Sequence, residues 1–161
     1  MSGILKEHID LEAIQIRPMR IGDLDQVLAI EEKSFSNPWK RDHFLYEIKN
    51  NKLSESIVME YNGQIIGYAI CWHLFEEFHL ANIAIAPEYR GLGLGEYLFD
   101  YTLSRAQNEQ YYVLEVRVNN LPALKLYQKK GFSILFTRKN YYPDGEDAFV
   151  MVKHMKSGDN V

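Results

Sequence analysis

The chain has 161 residues and a single cysteine, Cys71, so no disulfide can close within it and no cysteine-rich zinc pattern can be assembled. That cysteine lies in the apolar run Ile65 to Trp72, where it reads as a small hydrophobe in a reducing compartment and not as a nucleophile. The five histidines, His8, His43, His73, His79 and His154, include no i,i+4 pair or other ligand spacing, so no metal is expected. There is no basic excess: 18 Lys and Arg stand against 22 Asp and Glu, a formal net charge of -4. That balance disfavours direct binding of nucleic acid and is compatible with a basic peptide partner. No apolar run reaches the length of a membrane span, and Met1 to Asp10 lacks the apolar core of a signal peptide. The expectation is a cytoplasmic protein that does not engage a membrane.

What is present is a core-forming composition, 47% hydrophobic, suited to one domain over 1–161 with 1–12 as a short flexible N-terminal extension. The hydrophobic period alternates between that of strands and that of helices. Strands are expected at Ala13 to Arg20, Ser56 to Tyr61, Gln64 to Trp72, Leu80 to Ala86, Tyr112 to Val118, Ser133 to Thr137 and Ala148 to His154. Helices are expected at Asp23 to Phe35, Lys40 to Asn50, Glu96 to Gln107 and Pro122 to Lys130. Asn62-Gly63 is the preferred two-residue turn of a hairpin. The fold class is mixed α/β, without repeats or an evident linker.

The stretch Arg90-Gly91-Leu92-Gly93-Leu94-Gly95 joins an expected strand to an expected helix. Glycines let a ligand approach the backbone, and a helix start offers N–H groups at the positive end of its dipole, so this order of elements suits an anion, first of all a phosphate-bearing cofactor. A P-loop would need Lys-Ser/Thr after the last glycine, whereas Glu96 and Tyr97 follow Gly95. The dinucleotide fingerprint would need glycine at 96. A plain flexible turn is the competing reading.

Two further residues stand out. In Tyr112 to Val118, alternation sets Leu114, Val116 and Val118 on one face and Glu115 with Arg117 on the other, which fits either a solvated strand face or a placed carboxylate. Tyr127, among Ala123, Leu124 and Leu126, fits either a core aromatic or a functional phenol.

Together these motifs resemble a family. Arg90-x-x-Gly93-x-Gly95 after Asn82-Ile83-Ala84-Ile85-Ala86-Pro87, and Asn120-x-x-Ala123-x-x-x-Tyr127-x-x-x-Gly131-Phe132 downstream, are similar to the two signatures of the GCN5-related N-acetyltransferases (GNAT). The likeness runs from Ala13 to Met155. Phe35-Ser36-Asn37-Pro38-Trp39, Leu114-Glu115-Val116-Arg117, and Arg138-Lys139-Asn140-Tyr141-Tyr142 followed by Glu146-Asp147-Ala148 and Met151 look like the RimI-type ribosomal-protein alanine N-acetyltransferases of that family.

The resemblance implies a GNAT fold: a central, mostly antiparallel sheet of about seven strands with a splayed parallel pair, flanked by about four helices. It implies acetyl-CoA as cosubstrate and transfer of its acetyl group to a protein N-terminus, the N-terminal alanine of small-subunit ribosomal protein eighteen. Carried over to this chain, the backbone of Ile83, Ala84 and Ile85 would hold the pantetheine arm. Gly91, Leu92, Gly93, Leu94, Gly95 and Glu96 would hold the pyrophosphate, with Asn120 as a side-chain contact. Arg90 would add positive charge, or be an ordinary solvated arginine. Glu115 would be the general base and Tyr127 the general acid. Phe35, Trp39, Tyr141 and Tyr142 would meet the substrate peptide, or Trp39 and the tyrosine pair would pack onto the core. A small amine or lysine side chain as acceptor, and a non-catalytic acetyl-CoA-binding module, are the rival readings. The oligomeric state has no signal in the sequence.

Overall fold

The computed structural model describes residues 9–155, and a partly buried ion pair turns the chain from its first strand into its first α-helix. Asp23 accepts two hydrogen bonds of 2.9 Å from the Arg17 guanidinium and one of 2.8 Å from the backbone N–H of Arg20. These bonds turn the chain out of strand β1 (Ile14–Pro18) and into helix α1 (Leu24–Ser34), and the Arg17 guanidinium holds the Asp23 carboxyl below the usual carboxylate range. Leu24, Val27 and Ile30 recur at helical spacing and are buried, as is Glu31 beside them. Helix α2 (Arg41–Lys49) follows and buries Phe44 and Glu47.

Strand β2 (Ser54–Tyr61) turns into β3 (Gln64–Leu74) through Asn62 at φ 51° and Gly63 at φ 78°, both left-handed as that hairpin turn requires. Every residue from Ile65 to Cys71 is buried, which explains a run without alternation. A second hairpin leads to β4 (Glu77–Ile85) through Phe75, a left-handed non-glycine at φ 55° with 90% of its surface exposed. Nothing in the sequence marks that turn, since neither Phe75 nor Glu76 is a typical turn former. The strand expected to begin at Leu80 therefore begins three residues earlier.

Helix α3 (Leu94–Leu103) buries Leu94, Leu98, Phe99 and Leu103 and ends earlier than the expected Gln107. Strand β5 (Tyr111–Arg117), helix α4 (Leu121–Lys129), β6 (Ser133–Arg138) and β7 (Ala148–His154) complete the chain. Asn120 caps α4, its Oδ1 accepting from Ala123 N–H at 3.3 Å, with Pro122 in the first turn.

The strand order is β1-β2-β3-β4-β5-β7-β6, with β4 and β5 parallel and the pairs β1–β2, β5–β7 and β6–β7 antiparallel. This is the expected seven-stranded mixed sheet with four helices. Strand β6 lies at one end of that order, and a bulge between Ile134 and Phe136 disrupts its ladder with β7, a device that blunts an edge.

The residues group into two compact units, one of 9–71 and 82–104 and the other of 72–81 and 105–155. The first has a core of Ile14, Ile57, Met59, Ile66, Ala69, Ile85, Leu94 and Leu98. The second buries Phe78, Leu114, Val116, Phe132, Val150 and Met151. There the rings of Phe78, Tyr112, Phe132 and Tyr127 follow one another at centroid separations of 5.6, 6.2 and 6.2 Å.

Candidate functional site

In the first unit the glycine loop is built on the end of β4. Gly67 of β3 makes that end possible: a Cβ there would sit 2.7 Å from Ile85 Cδ1 and 3.1 Å from the Ala84 carbonyl oxygen. Leu92 and Leu94 pack on the core and fix the loop between them. Gly91 and Gly93 stand at φ 79° and 82°, and Gly93 is the cap from which α3 begins. A Cβ at either would meet no atom within 4 Å, so glycine is required by the backbone conformation, and the space around both positions is open. The first-turn N–H groups, those of Leu94 and Gly95 among them, lie at the positive end of the helix dipole.

Arg90 is exposed, and its guanidinium is held by two hydrogen bonds. Its Nε donates to the Ile85 carbonyl at 2.9 Å and its Nη2 to Ser34 Oγ at 2.8 Å, bracing the loop between β4 and the last turn of α1. A second brace lies beneath the segment Phe35 to Trp39. The buried Glu31 carboxylate accepts from Tyr68 Oη at 2.5 Å, Asn82 Nδ2 at 2.8 Å and the backbone N–H of Trp39 at 2.9 Å. Three donors offset the cost of burying the charge. Burial and the Glu31 carboxylate push the Tyr68 phenol far up, so it remains a donor. Phe35 is exposed, whereas the Trp39 ring packs on Phe44 and His43 at 5.4 and 5.7 Å.

In the second unit, Glu115 is not on a solvated face. Its side chain is 14% exposed, and Oε2 lies 2.7 Å from Nε2 of His79, itself 15% exposed. With Glu115 ionised, that contact requires the proton on Nε2 of the imidazole. The register explains the meeting. His79 pairs with Val113 across the parallel strands, and Val113 and Glu115 share a face of β5. The Trp72 ring stands edge-on to His79 at 5.3 Å and fixes its plane. The β4–β5 pairing runs from Glu77↔Tyr111 to Leu80↔Leu114, whereas β4 continues to Ile85 and β5 to Arg117.

Tyr127 packs on Phe132, and burial pushes its phenol up to about 12. Tyr141 and Tyr142 meet edge to face at 5.0 Å, and the Arg117 guanidinium lies 4.0 Å above the Tyr142 ring. Burial and the Glu115 carboxylate raise the Tyr141 phenol; burial pushes that of Tyr142 to about 12 against the pull of Arg117. The Glu115 charge is thus felt by both tyrosines.

His79, Glu31, Asn82 and Arg117 are contributors that the sequence did not single out. For His79 the signal was the strand start: beginning β4 at Leu80 left the histidine outside the sheet.

The sequence pattern of the acetyltransferase (GNAT) family matches residues 24–132. The chain belongs to the acetyltransferase (GNAT) family. Within it, the chain is similar to a Bacillus subtilis (strain 168) protein provisionally named a ribosomal protein bS18-alanine N-acetyltransferase, at 43% identity over 84% of this chain and 92% of that protein. It is 32% identical to an N-alpha-acetyltransferase of Sulfurisphaera tokodaii, over 85% of this chain and 90% of the other. Its fold is similar to that of the ribosomal-protein-S18-alanine N-acetyltransferase from Escherichia coli, with TM-score 0.77 and 31% identity over 92% and 98% of the two chains. GNAT acetyltransferases use acetyl-CoA. The left-handed glycines, the open space about them and the helix start fit its pyrophosphate, and the stretch of β4 beyond Leu80 fits a linear arm that pairs with backbone.

Proposed function

We propose that this chain transfers the acetyl group of acetyl-CoA to the N-terminal α-amine of a protein, its substrate being the N-terminal alanine of small-subunit ribosomal protein eighteen in the cytoplasm. The observation that carries this reading is the enclosed Glu115 carboxylate against His79, in a chain whose relatives bear that activity in their names.

The backbone of Ile83, Ala84 and Ile85 binds the pantetheine arm and an acetyl oxygen on which charge develops. Gly91 through Glu96 bind the pyrophosphate through N–H groups, with Arg90 lending positive charge from behind the loop. Asn120, whose Oδ1 caps α4, offers its amide nitrogen to the cofactor. Phe35, Trp39, Tyr141 and Tyr142 bound the peptide, Trp39 from a packed position.

An α-ammonium has a reference pKa of about 7.7 to 8.0 and must lose a proton before it attacks. Glu115 accepts that proton, directly or through a water, and becomes a neutral carboxylic acid, while the Nε2–H of His79 orients the carboxylate for the transfer. The amine then attacks the thioester directly, without an acetylated enzyme. Tyr127 remains protonated at neutral pH. Full transfer from a phenol at about 12 to a thiolate of reference pKa about 8.5 is uphill by roughly 5 kcal/mol, so its larger service is a hydrogen bond to the departing sulfur.

The test follows CoA-thiol release with acetyl-CoA and a short peptide beginning with alanine, beside the same peptide with its α-amine blocked. Release with the free amine alone, and its fall by at least about a hundredfold in Glu115→Gln, is the expected result. Equal release with both peptides, or an unimpaired Glu115→Gln, overturns the reading.

A further inference from the structure

We infer that Arg117 is a positioning residue: it latches the loop 140–147 to the strand that carries Glu115, and thereby sets affinity for the peptide without entering the chemistry. The inference rests on the reading of Tyr141 and Tyr142 as substrate contacts.

The loop is closed twice. At its neck, Asp147 accepts from the backbone N–H of Asn140 at 2.8 Å and from Lys139 Nζ at 3.1 Å, while its carbonyl accepts from Val118 N–H at 3.2 Å. At its tip, Gly145 at φ 89° donates its N–H to the Tyr142 carbonyl at 2.8 Å, and Tyr142 N–H donates to the Glu146 carbonyl at 3.1 Å. The tip presents two carboxylates, and Arg117 takes both: Nη1 lies 2.8 Å from Asp144 Oδ2 and 2.7 Å from Glu146 Oε1. The other oxygen of Glu146 accepts from Asn119 N–H at 3.2 Å. Over the same guanidinium lies the Tyr142 ring, at 4.0 Å.

One side chain therefore bridges both tip carboxylates and lies against the Tyr142 ring. Arg117 stands two residues beyond Glu115 on the same strand face, so the latch and the carboxylate share one rigid element. Without the guanidinium, the carboxylates of Asp144 and Glu146 would repel each other, and the Tyr142 ring would lose the surface on which it rests. A planar guanidinium can pair with carboxylates and stack on an aromatic face at once, and an ammonium group cannot do both.

The test compares initial rates, against peptide and against acetyl-CoA separately, for the wild type, Arg117→Gln, Arg117→Lys and Tyr141→Ala. Hydrogen exchange at the N–H groups of Tyr142 and Gly145 is measured alongside. Expected are a peptide KM raised about tenfold in Arg117→Gln, unchanged kcat and acetyl-CoA KM, partial rescue by lysine, and faster exchange at both amides. A fall in kcat at unchanged peptide KM overturns the inference, because Arg117 would then act in the chemical step. So does an unchanged peptide KM in Arg117→Gln while Tyr141→Ala raises it. If Tyr141→Ala also leaves peptide KM unchanged, the loop is not a substrate contact, and it is that underlying reading which fails.

Discussion

Removing the hydroxyl of Tyr127 isolates what a single half-buried phenol contributes, because Phe132 still packs against the remaining ring. Its proton is held by burial up to about pH 12, so the phenol is the same species from pH 7 to pH 10. Tyr127→Phe is therefore expected to slow turnover by roughly tenfold or more, and by the same factor at both pH values, in a profile of kcat against pH. A ratio that closes toward one by pH 10 would show a phenol ionising at its ordinary value, and an unchanged rate at every pH would remove Tyr127 from the reaction. Glu115 was half legible at this scale. Strand alternation separated it from Leu114 and Val116, but whether its face met water or another side chain was not encoded in one strand. Its neighbour is His79, 36 residues away, brought there by the parallel register. Glu31 was less legible still. Its place beside Ile30 could be read from the helix, but its partners Tyr68 and Asn82 lie 37 and 51 residues away, and no local pattern names them.

The loop between β4 and α3 is the element proposed to hold the cofactor's pyrophosphate. Gly93→Ala would force a side chain into a left-handed cap at a cost of about 1 to 2 kcal/mol, and in open space that cost is conformational, not steric. The cap is expected to relax away from this conformation, raising the acetyl-CoA KM several-fold while the peptide KM holds. Separate saturation curves for the two substrates check this, and an unchanged acetyl-CoA KM would detach the loop from the cofactor. Elements announced by glycine, proline or asparagine were readable in advance: this loop, the Asn62-Gly63 hairpin, and α4 from Pro122, whereas the cap that Asn120 makes was not read. The hairpin at Phe75 was not, because a left-handed phenylalanine is held there by the strands on either side and not by its own preference. Missing it displaced the start of β4 and hid His79.

Across the whole chain, the residues proposed to hold acetyl-CoA lie mainly in the first unit, and those proposed to move protons lie in the second. A net charge of -4 suits a partner with a cationic N-terminus, and no helix among the described residues is long and apolar enough to cross a membrane. Family membership was legible from two motifs because both mark where backbone conformation is constrained, and such constraints are written in residue type. The acceptor is less legible: the loops at Phe35 to Trp39 and 140–147, proposed to meet it, are tied to Glu31 and Arg117 by contacts that no local pattern announces. The acceptor nitrogen is accordingly the point to measure. Incubation with acetyl-CoA and a peptide carrying both an N-terminal alanine and an internal lysine, followed by fragmentation in a mass spectrometer, locates the product acetyl group. A single acetyl group on the α-nitrogen of the alanine is the predicted result, whereas acetylation confined to the lysine, or a peptide left unmodified, would contradict it.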